Sequence, residues 1–237
     1  MGYSLPEGRV PVCTVGGFGE RSDGLPSGRT PPQEPKKRSK RAAERDEFLR
    51  SLWRMEVCRI DPGRLVFVDE MGTHTSLAPL YAYAPIGERA FFEIPRNRGK
   101  NTTLLTSMTT EGMGPSMAVE GATTSRVFET YVERVLAPCL RPGQVVVMDN
   151  LGAHRPKRVR ELIEARVCEL LYLPSYSPDL NPIEQALSKI KHLLRKIAAR
   201  TKEALIEAMG RALAAVSARD VRGFFVHCGY RTPAQQL

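Results

Sequence analysis

The sequence predicts an α/β fold in which helices flank a mixed β-sheet. Two runs of four apolar residues, 65–68 and 145–148, are typical of strands that are buried on both faces of a sheet. Candidate hairpin strands follow the first run, whereas helical patterns alternate with strands after residue 116. Because this order combines hairpins with strand–helix–strand units, we expect a mixed sheet and not a uniform βαβ series.

The composition indicates a globular protein with a basic surface. The chain has 237 residues, 42% of them hydrophobic, which is enough for a substantial core. Lys and Arg outnumber Asp and Glu by 35 to 26, and this excess favours a polyanionic partner such as nucleic acid without establishing one. The five cysteines include no CxxC pair, and no apolar run approaches ~18 residues, so we expect reduced thiols, no membrane contact and a cytoplasmic location.

Changes in composition divide the chain into three regions. Residues 1–35 are rich in Gly and Pro and show no sustained period, which predicts a disordered or poorly packed leader. Residues 36–60 are predicted to form a basic helical linker whose apolar residues recur at helical spacing (Phe48, Leu49, Leu52, Trp53 and Val57). Residues 61–237 then hold the α/β domain and its C-terminal helices.

The elements of this domain follow from local patterns. Strands are expected at residues 65–68, 78–84, 89–94, 102–110, 116–119, 145–148 and 169–173, where 78–84 and 89–94 would form a hairpin. Helices are expected near residues 124–136, 157–166, 181–200, 201–216 and 217–229. The helix from Asn181 has apolar residues in steps of four and three (Ile183, Leu187, Ile190, Leu194 and Ile197). Ser217 and Asp220 form a capping box for the last helix.

Two aspartates follow the two fully apolar strands. Asp69 and Asp149 each come directly after a run of four apolar residues. If these strands are parallel neighbours, both carboxylates emerge at the edge where open α/β sheets bind their ligands. Glu70 would point to the opposite face because strand side chains alternate. An aspartate after a strand is also a common turn former, so each residue alone is explained about equally well by a turn.

A glutamate in the stretch LPSYSPDLNPIE, residues 173–184, is the third candidate. Two X-Pro steps hold this stretch extended, and a helix then begins with Glu184 in its first turn. The 34 residues between Asp149 and Glu184 are enough for a loop, a helix, a strand and a turn. A rival interpretation needs no metal, since Asn181 at the N-cap and Glu184 three residues later resemble a capping box, and the two roles are also compatible with each other.

Three carboxylates at one edge would suit a divalent metal site. Mg²⁺ and Mn²⁺ prefer oxygen ligands, and two such ions about 4 Å apart can activate an attacking water or 3′-hydroxyl at a phosphodiester. Asn150 and His154 flank the second aspartate and are candidates for positioning the substrate or a metal-bound water. Ordinary turn and helix-start roles explain these two residues as well.

Basic residues near these acids are candidates for a DNA-binding surface. The candidates for phosphate contacts are Arg96, Arg98, Lys100, Lys157, Arg158, Arg160, Lys191 and Arg195. Each of them, taken singly, is more often a solvated surface charge.

Three segments resemble the catalytic blocks of a known family. The segments VFVDE, VVMDNLGAH and LPSYSPDLNPIEQALSKIK are similar to the DDE catalytic domain of bacterial insertion-sequence transposases of the mariner-type superfamily. The resemblance runs from about residue 36 to the C-terminus and includes RNRGKNTT. It implies a ribonuclease H-like fold and metal-dependent DNA strand cleavage and strand transfer. Asp69, Asp149 and Glu184 would bind two Mg²⁺ or Mn²⁺ ions.

The resemblance also implies partners and a location. These are transposon-end and target DNA, a homodimer or higher oligomer on that DNA, and action at the bacterial nucleoid. Two departures from the family pattern are present. Ser175 replaces a second proline, a minor change expected to loosen the turn. Nothing in residues 1–35 resembles the helix-turn-helix with which family members read inverted repeats, which stands against autonomous, sequence-specific transposition. The alternative expectation is therefore a truncated, non-catalytic regulator that binds DNA or transposase. A ribonuclease H-like repair nuclease fits the acids but not the Y-S-P-D-x-N-P signature.

Overall fold

The structure is a computed structural model and describes residues 42–97, 99–150 and 157–231. A five-stranded mixed sheet lies at its centre. Its strands are β1 (Leu65–Thr73), β2 (Thr102–Thr109), β3 (Gly112–Glu120), β4 (Val145–Met148) and β5 (Glu169–Tyr172). The helices are α1 (Glu47–Val57), α2 (Ser125–Tyr131), α3 (Lys157–Glu164), α4 (Pro182–Ile197), α5 (Lys202–Ala214) and α6 (Ala218–His227). The predicted leader, residues 1–35, and the basic run 36–41 lie outside the described residues.

The strand order is β3-β2-β1-β4-β5. The first three strands along the chain form an antiparallel meander, whereas β4 pairs in parallel with both β1 and β5. In the β1–β4 pair, Val68 lies opposite Met148. The predicted mixed sheet is therefore confirmed, and the two apolar runs of the sequence are the parallel neighbours at its centre.

Side chains of the central strands alternate between two hydrophobic cores. Phe67 and Val147 point to the face that α1, α4, α5 and α6 cover, which we call the α4 face. Val68 and Met148 point to the opposite face, which is covered by α2, the π-helical turn after it and α3, and which we call the α3 face. The two-residue period of a strand thus decides to which face each following side chain belongs.

The C-terminal helices are set by the caps that the sequence predicts. Thr201 accepts a hydrogen bond from the Ala204 N–H at the start of α5, and Ser217 and Asp220 form a complete capping box at the start of α6. Helix α6 places Phe225 edge-on to Phe67, with 5.5 Å between ring centroids. None of the helices in the described part of the chain is long and apolar enough to cross a membrane.

The predicted hairpin at residues 78–84 and 89–94 is wrong. No strand is assigned to the described residues between β1 and β2. Prolines 79, 85 and 95 remove backbone donors from this segment. The large apolar side chains of the segment are exposed, with no sheet face to cover them (Leu80, Tyr81, Tyr83, Ile86, Phe91, Phe92 and Ile94).

The predicted apolar face of the first helix is only half correct. Trp53 and Val57 are buried, but the other three predicted residues, Phe48, Leu49 and Leu52, are exposed. The helix is rotated so that Arg50 takes their place and is fully buried. The reason is a distant partner for Arg50, described below, that helical periodicity cannot reveal.

Candidate active site

Asp69 and Asp149 leave neighbouring strands at the same edge of the sheet. Each follows one member of the opposed pair Val68 and Met148, so the predicted parallel arrangement is confirmed. Alternation from Phe67 and Val147 directs both aspartates to the α4 face. The same rule directs Glu70 to the other face, as predicted.

The carboxylate of Asp69 is held from two sides. Asp69 is only 7% exposed. Its Oδ1 accepts a hydrogen bond of 2.7 Å from the backbone N–H of Glu70, and its Oδ2 accepts one of 2.8 Å from the Asn181 Nδ2. Since both oxygens have a fixed donor, the plane of this carboxylate is fixed as well.

The Asn181 side chain does not cap α4. Asn181 occupies the N-cap position, but its side chain makes no capping hydrogen bond. It is buried and donates to Asp69 instead. Pro182 at N1 lacks an N–H, which removes one of the donors that a cap would have to satisfy. The rival capping interpretation is therefore wrong for Asn181.

Glu184 lies in the first turn of α4, close enough to Asp149 for the two charges to interact. The residue as a whole is open to solvent, but the carboxyl group is partly enclosed. This enclosure and the like charge of Asp149 raise the pKa of Glu184, while the charge of Lys191 opposes the shift. Among the described residues, no hydrogen bond or ion pair is found for this carboxylate. A cation between Glu184 and Asp149 would relieve their repulsion.

The oxygen-rich edge fits a hard divalent cation by its donor chemistry. The carboxylates of Asp69, Asp149 and Glu184 are ligands that Mg²⁺ and Mn²⁺ prefer. The Oδ1 atoms of Asn150 and Asn181 are buried and find no hydrogen-bond partner among the described residues. In the same part of the chain, no three acidic, His or Cys side chains already converge into a cage.

The predicted phosphate contacts fall into three groups. Lys100, Lys157, Arg158 and Arg160 lie in ion pairs with Glu120, Glu161, Glu133 and Glu164, respectively. Arg96, Lys191 and Arg195 form no ion pair with a described residue. Lys191 and Arg195 lie seven and eleven residues after Glu184, so they share its side of α4. Arg98 lies outside the described residues, as does His154, the candidate for substrate positioning.

Two contacts that sequence reasoning missed hold the turn before α4. Arg50 donates to both oxygens of Asp179, with distances of 3.0 and 2.5 Å. Tyr230 donates its hydroxyl hydrogen to the Leu180 carbonyl at 2.6 Å. The sequence signal for the buried Arg50 was its spacing, since it lies three residues before Trp53 and seven before Val57 on the same side of the helix.

Sequence comparison identifies the family to which the chain belongs. The DDE superfamily endonuclease family matches residues 64–206, more than half of the chain, and the matched range contains all three carboxylates. The chain belongs to this family. The matched range begins just before β1 and ends within α5.

The chain is similar to the transposase of the transposable element Tcb2 from Caenorhabditis briggsae. That transposase is 32% identical to this DDE endonuclease chain over 91 residues. The aligned part is 37% of this chain and 33% of the relative, so the similarity spans about a third of the relative's length.

Solved structures of the Mos1 mariner transposase share the fold. The paired-end complex with the left transposon end matches with a TM-score of 0.64 and 18% identity, over 83% of this chain and 63% of that one. The isolated Mos1 catalytic domain matches with a TM-score of 0.55 and 20% identity, over 78% of this chain and 85% of that domain. The predicted ribonuclease H-like fold is confirmed.

Proposed function

We propose that this DDE endonuclease chain is the catalytic domain of a mariner-type transposase, which cuts DNA at transposon ends and joins the freed 3′ ends to target DNA. One observation carries the proposal. Asp69 and Asp149 leave adjacent parallel strands toward the face from which α4 supplies Glu184. The proposed site is thus built from two strand ends and one helix start.

Asp69, Asp149 and Glu184 are the proposed ligands of two Mg²⁺ or Mn²⁺ ions. When bound, such a pair supplies an activated oxygen nucleophile and stabilises the leaving oxygen. The protein's part is to hold the ligands still. Asp69 is fixed by Asn181 and by the Glu70 N–H. Asn150, whose buried Oδ1 is without a partner in the described chain, and His154 are proposed to position the substrate.

The proposed path for DNA runs beside Glu184 along α4. Lys191 and Arg195 share that side of the helix, and neither is neutralised by an ion pair within the described residues. Arg96, Arg98 and Lys100 from the segment before β2, and Lys157 and Arg158 from α3, are proposed to extend the contacts. DNA phosphates would have to replace the glutamates that now pair with Lys100, Lys157 and Arg158.

The partners proposed for the whole protein rest on its relatives. The Mos1 structures are described as paired-end and strand-transfer complexes, which supports DNA as the partner and a dimer or higher oligomer as the working form. Bacterial origin and action at the nucleoid stay predictions, since the characterised relative named above comes from a nematode.

Replacing Glu184 by Gln tests the proposal. Gln keeps the size and helix preference of Glu but is a poor ligand for Mg²⁺. We expect Glu184→Gln to lower DNA cleavage about 1,000-fold or more, equivalent to about 4 kcal/mol of lost transition-state stabilisation. The measurements are nicking of a supercoiled plasmid with Mn²⁺, which needs no end recognition, and cleavage of a duplex that carries the element's own ends.

Glu203→Gln is the matched control, because Glu203 is an exposed glutamate in the first turn of α5. We expect this variant to cleave like the unmodified protein. Equal cleavage by Glu184→Gln and Glu203→Gln would refute the metal assignment. DNA binding without any cleavage by the unmodified chain, with Mg²⁺ and with Mn²⁺, would instead support the predicted alternative, a non-catalytic regulator.

A further inference from the structure

Three consecutive residues before α4 are each bound by a different part of the chain. Asp179 is held by Arg50 of α1, and the Leu180 carbonyl is held by Tyr230, which follows α6. Asn181 is held by Asp69 of β1. We call residues 179–181 the clamped turn. Its three ties come from elements that are far apart in sequence, so the turn has little freedom to shift on its own.

Chemistry decides which way round the Asn181 amide lies. A carboxylate such as Asp69 is only an acceptor, so the group at 2.8 Å from its Oδ2 must be the amide nitrogen, the donor. The amide oxygen then lies on the other side, buried and without a hydrogen-bond partner among the described residues. Asn181 therefore binds Asp69 through its nitrogen, and its Oδ1 makes no hydrogen bond to a described residue.

The clamped turn also determines where α4 begins. The Glu184 N–H donates to the Asn181 carbonyl at 3.2 Å, so the backbone of Asn181 starts the helix whose first turn carries Glu184. The side chain of the same residue contacts Asp69. One residue thus links two of the three proposed metal ligands, one through its side chain and the other through its backbone.

We propose that Asn181 is a positioning residue for the metal site: its amide orients Asp69, and the clamped turn sets the separation between Asp69 and Glu184. This inference rests on the proposed function, since it assumes that the carboxylates bind divalent metal. Residues that orient the ligands of a metal through hydrogen bonds change its affinity by about 10–100-fold when they are replaced. Asn181 has the same relation to Asp69.

The experiment separates positioning from helix capping. Asn181→Ser removes the amide but keeps one of the best N-cap residues, whereas Asn181→Ala removes both. If Asn181 positions Asp69, both variants lose the hydrogen bond to Asp69 and with it metal affinity, and Asn181→Ser loses less thermal stability than Asn181→Ala. If Asn181 acts only at the helix start, Asn181→Ser behaves like the unmodified protein.

The readout is the affinity for Mn²⁺ in the absence of DNA, measured by electron paramagnetic resonance of the free ion in the full chain. We expect both Asn181 variants to bind Mn²⁺ about 10-fold or more weakly. Gln185→Ala is the matched control, because it removes a side-chain amide from the same helical turn. The Gln185 amide contacts Cys228 and not Asp69, so its loss is expected to change the affinity less than twofold.

Asp69→Asn separates this inference from the proposed function. Loss of Mn²⁺ affinity in Asp69→Asn, with unchanged affinity in Asn181→Ser, would overturn the positioning role alone. Unchanged affinity in Asp69→Asn would overturn the metal assignment and the positioning role with it. Weaker binding in Asp69→Asn, Asn181→Ser and Asn181→Ala, but not in Gln185→Ala, is the result that supports both.

Discussion

Both faces of the sheet carry an apolar core, but the α4 face is also crossed by contacts of buried and half-buried charged side chains. On the α3 face, a core centred on Phe128, Tyr131 and Ile163 is fully buried, and the ion pairs around it, such as Arg141–Glu111, are exposed. On the α4 face, buried or half-buried polar contacts cross between elements. Arg50 binds Asp179.

Other ties on the α4 face follow the same pattern. Arg200 donates to the carbonyls of Thr75 and Leu77, both at 2.9 Å, and Lys189 of α4 binds Asp220 of α6 at 2.6 Å. Hydrogen bonds weaken steeply when their geometry changes, so these contacts fix the relative positions of the elements that they join. The α4 face, which carries the acids, thus combines apolar burial with polar contacts that fix the position of its elements.

The largest effect on stability is expected from the α3 face. Phe128 is fully buried there, so we expect Phe128→Ala to lower the free energy of unfolding by about 3–5 kcal/mol. The folded fraction should still bind Mn²⁺ as the unmodified protein does, because none of the proposed ligands lies on this face. Urea unfolding followed by circular dichroism, together with the Mn²⁺ titration, measures both quantities.

Phe48→Ala is the control for that change. Phe48 is 71% exposed on α1, so its loss is expected to change the free energy of unfolding by no more than about 0.5 kcal/mol. A fall in Mn²⁺ affinity in Phe128→Ala as large as that expected for Asn181→Ser would contradict the division between the two faces.

A smaller effect is expected from the ion pair that ties α1 to the clamped turn. Asp179→Asn leaves the guanidinium of Arg50, which is fully buried, with the half-exposed Glu47 as its remaining acid. Because the lost partner is itself half-exposed, we expect a cost of about 2 kcal/mol, below the usual range for a wholly buried pair. The exposed bidentate pair Arg141–Glu111 provides the control, since Glu111→Gln should cost less than about 1 kcal/mol.

The same ion pair makes a prediction about acid. Partial burial alone would favour the protonated form, but the hydrogen bonds and charge of Arg50, with the charge of Arg45, hold the pKa of Asp179 below its ordinary value. A carboxyl with a lowered folded-state pKa stabilises the fold above its unfolded pKa, and this stability is lost as the pH falls through the folded value. The unmodified protein should therefore lose stability below about pH 4 more steeply than Asp179→Asn. The same fall in melting temperature below pH 4 for both proteins would contradict this prediction.

The smallest effect is expected at the start of α6. Ser217→Ala removes one half of the capping box and should cost about 1 kcal/mol. Ser51→Ala is the control, because the Ser51 hydroxyl binds a carbonyl one turn back within its own helix and caps nothing. Thermal melts of the two variants side by side measure the difference. A cost for Ser51→Ala equal to that for Ser217→Ala would argue against the cap.

Local patterns were sufficient to predict the central strands and the caps. Continuous apolar runs predicted β1 and β4, and the two-residue period gave the face of Asp69. Helical periodicity predicted α4, whose stripe is buried except at Ile197. These features depend only on neighbours in sequence, and the sequence contains them in full.

Contacts between distant residues were beyond the reach of these patterns. Arg50 and Asp179 are 129 positions apart, and the burial of one depends on the other. Asn181 satisfies every local criterion for a helix cap, yet Asp69, 112 positions away, takes its side chain. Residues 78–94 contain enough apolar residues for a hairpin but lack a face on which to bury them. In each case the missing information was the tertiary partner, or its absence.

The number of residues between Asn181 and Glu184 determines where the Glu184 carboxylate points. Each residue of an α-helix turns the chain by about 100° around the helix axis. One residue added between Asn181 and Glu184 would leave the amide on Asp69 but swing the glutamate through more than a quarter of a circle, away from Asp149. The spacing N-P-I-E therefore determines the direction in which the Glu184 carboxylate projects from the helix axis.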